Sequence, residues 1–391
     1  MSENQKKIGI VGGGQLGKMM ILEAKRLGFF VVILDPEKDC PAASISDRHV
    51  LCGFDDPKGY QELAGQVDVI TYEFEHIHAQ ALEDLESKGH LVYPCAASLK
   101  TIQDKYAQKT LLRDHGIPVP PFARVSCAED ILALGDRPDF GYPLMLKATR
   151  GGYDGKGNEL VRDAKDAGDA YLRLGGDTRE QMAEACISYE KEISLIACRG
   201  VDGAKVLYPI AENSHNNSIL DTTIVPADLS SEVAEKAEAV AGKVMEAFAG
   251  VGAFCIEFFV TSRGELYVNE VAPRPHNSGH YTIEACFANQ FENHIRAIVG
   301  LPFGRTGLLF PAVMVNLLGE SNGPARLEGL AEAYGDPGVH VHIYGKRLSR
   351  VGRKMGHFTV IDKDKETAIQ KARQIRKLLR FVGDPKEGLS S

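Results

Sequence analysis

The sequence predicts a mixed architecture: an α/β, Rossmann-like parallel-sheet domain, an α+β centre, and a small β-rich end. Three observations carry this. Residues 6–35 form a strand, a glycine turn, a helix and a second strand, with Gly12-Gly-Gly-Gln-Leu-Gly17 as the turn. Short apolar strands then alternate with helical spacing, which implies a parallel sheet covered on both faces. Further along, longer strands lead into Asn269-Glu270-Val-Ala-Pro-Arg274-Pro-His276-Asn277-Ser-Gly-His280, a dense polar run broken by prolines and a glycine. Such a run cannot be core, because most of its side chains would be buried without partners.

Lys7–Val11 reads as a buried strand, Lys18–Leu27 as a helix and Phe29–Leu34 as the second strand, ending at Asp35. Val67–Thr71 and Leu91–Tyr93 supply further strands, so the first domain spans 1–103. A helix from Thr101 to Asp114 leads into the stiff run Gly116-Ile-Pro-Val-Pro-Pro121. The centre, 104–310, divides into a small lobe over 122–187 and a larger one over 188–310. Ser230 is placed to cap a helix running to Phe248. Gly252–Val260 and Glu265–Val268 read as a hairpin around Ser262-Arg-Gly264. The end, 311–391, alternates Val339–Tyr344 with Thr359–Ile361 and a charged helix from Lys365 to Leu379.

Composition bounds the function. Apolar content of 44% and charged content of 25% are those of an ordinary globular protein. A net charge of -8 argues against affinity for nucleic acid or anionic membranes. The longest apolar run, Leu308–Leu318, is too short to span a bilayer. No signal peptide is apparent, and eight scattered cysteines read as reduced thiols, so a cytoplasmic protein is expected.

Three places could carry chemistry. The first glycine turn, with Asp35 eighteen positions beyond Gly17, satisfies the dinucleotide-binding fingerprint, although its amides suit any phosphate or carboxylate. A second glycine-rich loop, Arg150-Gly-Gly152-Tyr153-Asp154-Gly155-Lys156-Gly157, follows Lys147 at the end of an apolar strand and could close over a phosphate chain. In the hairpin, alternation sets Val268 opposite Glu257 and puts Glu270 one diagonal step away. Two carboxylates that close repel unless a proton or cation lies between them, and magnesium carrying phosphate oxygens suits the place.

Together, Lys105, Lys147, the second glycine loop, Glu184, Glu192, Glu257, Asn269-Glu270 and Arg274 resemble the ordered elements of the ATP-grasp superfamily. That resemblance implies two lobes clamping ATP, with Mg2+ on paired carboxylates and an acyl phosphate passed to an amine. The first glycine turn, Thr71-Tyr-Glu-Phe-Glu75, Ala211-Glu-Asn-Ser-His215 and the run from Asn269 to His280 resemble the branch that carboxylates aminoimidazole ribonucleotide in purine biosynthesis. The likeness covers nearly the whole chain.

The resemblance implies roles. Lys105, Lys147, Gly152 to Asn158, Glu184-Ala185-Cys186-Ile187, Glu192, His215, Asn269 and Glu270 would hold ATP, with Glu184 to Ile187 as the adenine-reading hinge and Glu192 on the ribose. Glu257 and Glu270 would hold magnesium. Many superfamily members carry a further amide ligand where this chain has Ala272, which leaves the coordination open. Tyr153, Asp154, Arg274 and Lys346 are the expected catalytic residues; Gln15, Glu73, Tyr153, Arg274, His276, Asn277, Lys346 and Arg353 would bind the ribonucleotide and bicarbonate. A homodimer is also implied. His340 and His342 read as an ordinary strand face. A formate-dependent glycinamide ribonucleotide transformylase, biotin carboxylase, a dehydrogenase and a nucleotide-binding regulator without turnover stand as alternatives.

Overall fold

In the computed structural model, residues 6–152 and 157–383 are described. The expected site residues Tyr153, Asp154, Gly155 and Lys156 lie outside them. The first sheet is wholly parallel, in the order Arg48–Val50, Phe30–Leu34, Lys7–Val11, Val69–Tyr72, Leu91–Val92. Val11 pairs with both Leu34 and Tyr72, so three strands end level. Gly12, Asp35 and Glu73 therefore emerge side by side at the carboxyl edge, where such sheets bind ligands.

Each face of this sheet is covered. On one, the helix Gln15–Arg26 packs with Phe291, Ile295 and Ile298 from the helix Gln290–Val299 of the centre. On the other lie Pro57–Ala64, Ala79–Ser87 and Ala96–Ile102. His294 ties the first two domains together: Ala253 N donates to its Nδ1 at 3.0 Å, and its Nε2 lies 2.8 Å from Thr71 Oγ1.

The helix expected from Thr101 to Asp114 is broken. It ends at Ile102 and restarts over Lys105–Asp114, because Asp104 turns its carboxylate onto the amides of Tyr106 and Ala107. An N-cap bond satisfies otherwise orphaned donors and here wins over continuous helix. Ser230 does cap Ser231–Phe248, accepting from Val233 N.

The small lobe is an antiparallel sheet in the order Phe122–Val125, Gln181–Ala185, Leu144–Ala148, Asn158–Val161. Residues 186–190 cross from it to the large sheet. That sheet runs Leu266–Ala272, Gly252–Val260, Lys191–Arg199, Ala211–Asn216, Ile219–Val225, Ala312–Leu318, Lys354–Ile361, Val339–Ile343. Residues beyond 311 thus extend the same sheet: Val315 pairs with Thr222 across it.

The hairpin register differs from simple alternation. A β-bulge between Glu257 and Phe258 pairs Phe258 with Val268 and Glu257 directly with Glu270, leaving Asn269 as the extra residue. A bulge inserts one residue and re-aims side chains. The two carboxylates are closer neighbours than the diagonal spacing suggested.

Candidate active site

The Glu257–Glu270 pair lies at one edge of the large sheet, facing a lysine and a histidine from two other elements. Lys105 Nζ, from the start of the Lys105–Asp114 helix, is 3.2 Å from Glu270 Oε1. His276 Nε2 is 3.7 Å from Glu257 Oε1. Burial, and then the Glu270 charge, push the Glu257 carboxyl well above the usual carboxylate range. A group so eager for a proton is one that a cation would relieve. The two carboxylates thus fit magnesium, which takes one or two carboxylates and fills its remaining places with phosphate and water.

The phosphate side is built around a carboxylate rather than a bare lysine. Glu184 is buried and bridges two cations, Lys147 and Lys109, the latter at 3.1 Å. Burial raises the Glu184 carboxyl, but the two lysine charges outweigh it and bring it down to about 2. Lys109 is buried too, donates to Val268 O at 2.9 Å, and is lowered to about 8 by desolvation. So the Glu184 side chain holds Lys147 and Lys109 in place. Lys109, one helical turn after Lys105, was missed in the sequence, where it reads as one more surface lysine. The cradle is tied to the second glycine loop by Lys105 N donating to Thr149 O at 2.8 Å and by Arg150 on Asp104 at 3.1 Å. Gly152 and Gly157 flank that loop, and Asn158 pairs with Lys147 across the small sheet.

Ala185 ends the small sheet, Cys186 is exposed and Ile187 half-buried, so this crossing lies between the lobes as a hinge would. Both Glu192 oxygens have protein partners: Tyr189 Oη at 2.7 Å and His215 Nδ1 at 2.9 Å. Glu192 and His215, far apart in sequence, are thereby brought together as expected of one subsite. Tyr189, unremarked in the sequence, stacks on Phe259 with ring centroids 4.5 Å apart.

The first glycine turn is already filled by the protein. Glu73 accepts from Gly14 N and, at 2.6 Å, from Gly17 N; Asp35 accepts from Gly13 N at 2.8 Å. A dinucleotide phosphate could reach these amides only by displacing two carboxylates, which removes the basis of the dehydrogenase reading. Glu73, expected to contact substrate, holds this turn with both oxygens. Gln15 begins the helix beside it. Lys346 donates to Lys354 O at 2.8 Å and is lowered to about 8 by burial and by Arg353, with Glu73 opposing. Lys346, Arg347, Arg350 and Arg353 line an open cleft against Lys38 and Asp39 of the first domain. Arg353 also donates to Leu348 O at 2.9 Å.

Between these two ends lies the dense run. Arg274 is gripped by Glu75 from the first domain at 2.6 Å and 3.3 Å. Burial raises the Glu75 carboxyl, but Arg274 outweighs it and brings it down to about 2. His276 is held well below its ordinary value by burial and by Arg274. Neither side-chain atom of Asn277 has a hydrogen-bond partner although both are buried, as expected of an amide that serves a ligand. His342 is not part of this set: it pairs with Glu284 and stacks on His357 at 4.4 Å.

A two-lobed clamp with lysines over paired carboxylates defines an ATP-grasp enzyme, a ligase by class. Residues 110–291 match the model of the ATP-grasp domain, 5–103 that of the ribonucleotide synthetase preATP-grasp domain, and 312–371 that of the phosphoribosylaminoimidazole carboxylase C-terminal domain. The N5-carboxyaminoimidazole ribonucleotide synthase of Staphylococcus saprophyticus is 41% identical over 93% of this chain and 95% of its own. The crystal structure of the synthetase from Thermotoga maritima superposes with a TM-score of 0.89 at 44% identity, covering 97% of this chain and all of that one. The Aspergillus clavatus synthase, solved with ADP and 5-aminoimidazole ribonucleotide, superposes at 0.88 with 32% identity over 96% of this chain and 98% of its own. The chain belongs to the N5-carboxyaminoimidazole ribonucleotide synthase family.

Proposed function

We propose that the chain carboxylates 5-aminoimidazole ribonucleotide with bicarbonate and ATP, giving N5-carboxyaminoimidazole ribonucleotide, ADP and phosphate. The observation that carries this reading is the Glu75–Arg274 pair. It joins the first domain, to which we assign the ribonucleotide side, to the run that follows Glu270, so that both half-reactions would share one chamber. In the first half, a bicarbonate oxygen attacks the γ-phosphorus and ADP leaves, giving carboxyphosphate. That transfer needs fixed positive charge rather than covalent help. Lys105, Lys147 and Arg274 supply it from this chain. Magnesium, held by Glu257 and Glu270, would neutralise phosphate charge when bound.

In the second half, the substrate amine attacks the carboxyl carbon, phosphate leaves, and the nitrogen gives up a proton. Asp154 is our candidate base and Tyr153 its neighbour at the carboxyl group; both assignments rest on the family resemblance. The cleft of Lys346 and Arg353 would take the ribonucleotide phosphate, with Asn277 and His276 nearer the reacting end. Glu192 with His215 and the Glu184–Ile187 crossing would take ribose and adenine. We place the reaction in the cytoplasm; no helix among the described residues is long and apolar enough to cross a membrane. We also propose a homodimer, which would cover the exposed Phe287, Leu309 and Phe310.

The test is ADP release by purified protein. It is expected to require bicarbonate and aminoimidazole ribonucleotide together, and Glu270→Ala is expected to abolish it without unfolding the protein. Turnover with formate and glycinamide ribonucleotide would sink this reading in favour of the transformylase. Nucleotide binding with no turnover under any pairing would favour a regulator.

A further inference from the structure

Behind His276 runs an unbroken chain of buried side-chain hydrogen bonds that no substrate contact requires. Thr223 Oγ1 donates to Asn213 Oδ1 at 2.9 Å, and Asn213 Nδ2 donates to Ser194 Oγ at 2.8 Å. Ser194 Oγ donates to Ser278 Oγ at 2.8 Å, which lies 3.0 Å from His276 Nδ1. Thr223, Asn213, Ser194 and Ser278 are each less than a tenth exposed. Three of them come from three adjacent strands of the large sheet; the fourth stands in the short turn that carries the dense run.

The direction of this chain is revealed at its end by a group that can only donate. The backbone amide of Ser278 donates to His276 Nδ1 at 3.3 Å. An amide can only donate, so Nδ1 carries no proton, and the ring proton of the neutral imidazole sits on Nε2. Ser278 Oγ–H must then also donate to Nδ1, because Nδ1 has nothing to give. Its oxygen is left to accept, from Ser194 and from the Cys255 thiol at 3.6 Å. Ser194 must accept from Asn213, and Asn213 must turn its carbonyl to Thr223. Each side chain of the row thus donates to the next, and His276 Nδ1 receives both Ser278 donors, so every member has a partner, which is what a buried polar network needs to be rigid.

We propose that Ser278, Ser194, Asn213 and Thr223 are positioning residues that hold His276 as a hydrogen-bond donor, its Nε2–H presented beside Glu257. An N–H in this place suits an anionic oxygen of the carboxyl group or phosphate being transferred; it cannot take a proton from the substrate amine.

The inference rests on the proposed reaction only for what His276 donates to, and the test separates the two. Protein carrying 15N-labelled histidine is examined by two-bond proton–nitrogen correlation, with the His276 signal identified by its loss in His276→Gln. The wild type is expected to show the Nε2–H tautomer. Asn213→Asp presents only acceptors to Ser194, reverses the chain, and is expected to move the proton toward Nδ1. Ser194→Ala, a smaller change in a buried strand, breaks the row at its middle and is expected to shift the tautomer in the same direction. In both variants kcat should fall roughly ten- to a hundredfold, the scale of losing a partner that orients a site residue from behind, with KM for ATP unchanged. His276→Gln, which keeps an N–H near the same place, should retain more activity than His276→Ala. A wild-type Nδ1–H tautomer, or folded Ser194→Ala protein with unaltered tautomer and kcat, overturns the proposal. If the tautomer behaves as expected but bicarbonate and aminoimidazole ribonucleotide give no turnover, the proposed function fails and the positioning chain stands.

Discussion

At the scale of single residues, the site is a set of charges that hold one another until ligands arrive. Glu184 is the plainest case. Lys109 is buried and Lys147 half-buried against it, so removing its charge leaves two cations facing each other in a poorly solvated space. Glu184→Gln is expected to cost about 3–5 kcal/mol, the usual penalty for breaking a buried ion pair from one side. Urea unfolding measures this directly; a change under about 1 kcal/mol would refute the bridging role. Glu184 was recognisable in the sequence, but as a nucleotide contact. Its structural duty was not, because Lys109 is remote in sequence and meets it only after the helix Lys105–Asp114 docks under the small sheet. Arg274, His276 and Asn277 were legible for a different reason: so many polar groups between prolines have no place in a core.

Elements show where local chemistry outweighs pattern. The strand–turn–helix start was readable because glycines at 12, 14 and 17 leave few other conformations. Tertiary contact decided what the turn serves: a Cβ on Gly17 would come within 2.6 Å of Gly12 O and 3.3 Å of Glu73 Oε2. Gly17→Ala must therefore displace backbone as well as the carboxylate that closes the turn. A loss of about 1–3 kcal/mol is expected, in the range of overpacked cores. Because Glu73 lies near Lys346, KM for the ribonucleotide should rise more than KM for ATP. Equal effects on both would argue that the turn only supports the fold. The bulge at Asn269 belongs to the same scale. Alternation along a strand predicts which face a side chain takes, yet one extra residue converted a diagonal Glu257–Glu270 relation into a direct one.

The whole molecule behaves as one acid-sensitive unit, because its domain contacts are made by groups held in fixed charge states. His294, between first and central domains, is neutral and lowered to about 3 by burial. Glu75 and Glu184 are held charged, each at about 2. In all three, the folded state binds its proton later than the unfolded chain does as pH falls. For His294 that window runs from 6.5 down to about 3, and for the glutamates from 4.5 to about 2. Stability is therefore expected to decline as pH drops below about 6.5, and more steeply below 4.5. Each group contributes up to about 1.4 kcal/mol per pH unit while it takes up a proton only on unfolding. Thermal melts from pH 7 to pH 4 measure this, and a flat Tm over that range would contradict it.

Amino-acid order alone determined the parallel first domain, the hairpin that carries Glu257 towards Glu270, and the polar run that marks the site; the clamp was implied by family resemblance. Those features are local: strand period, glycine turns and prolines act within a few residues of one another. What only tertiary structure decided is who neutralises whom. Glu73 closes its own phosphate-like turn, Glu75 grips Arg274 across a domain boundary, and Glu184 finds Lys109. The sheet likewise runs on past residue 311, although the sequence reads there as a separate β-rich end. Charge pairing and strand pairing act through space between segments far apart in the chain, and no spacing along the chain encodes which partners will meet.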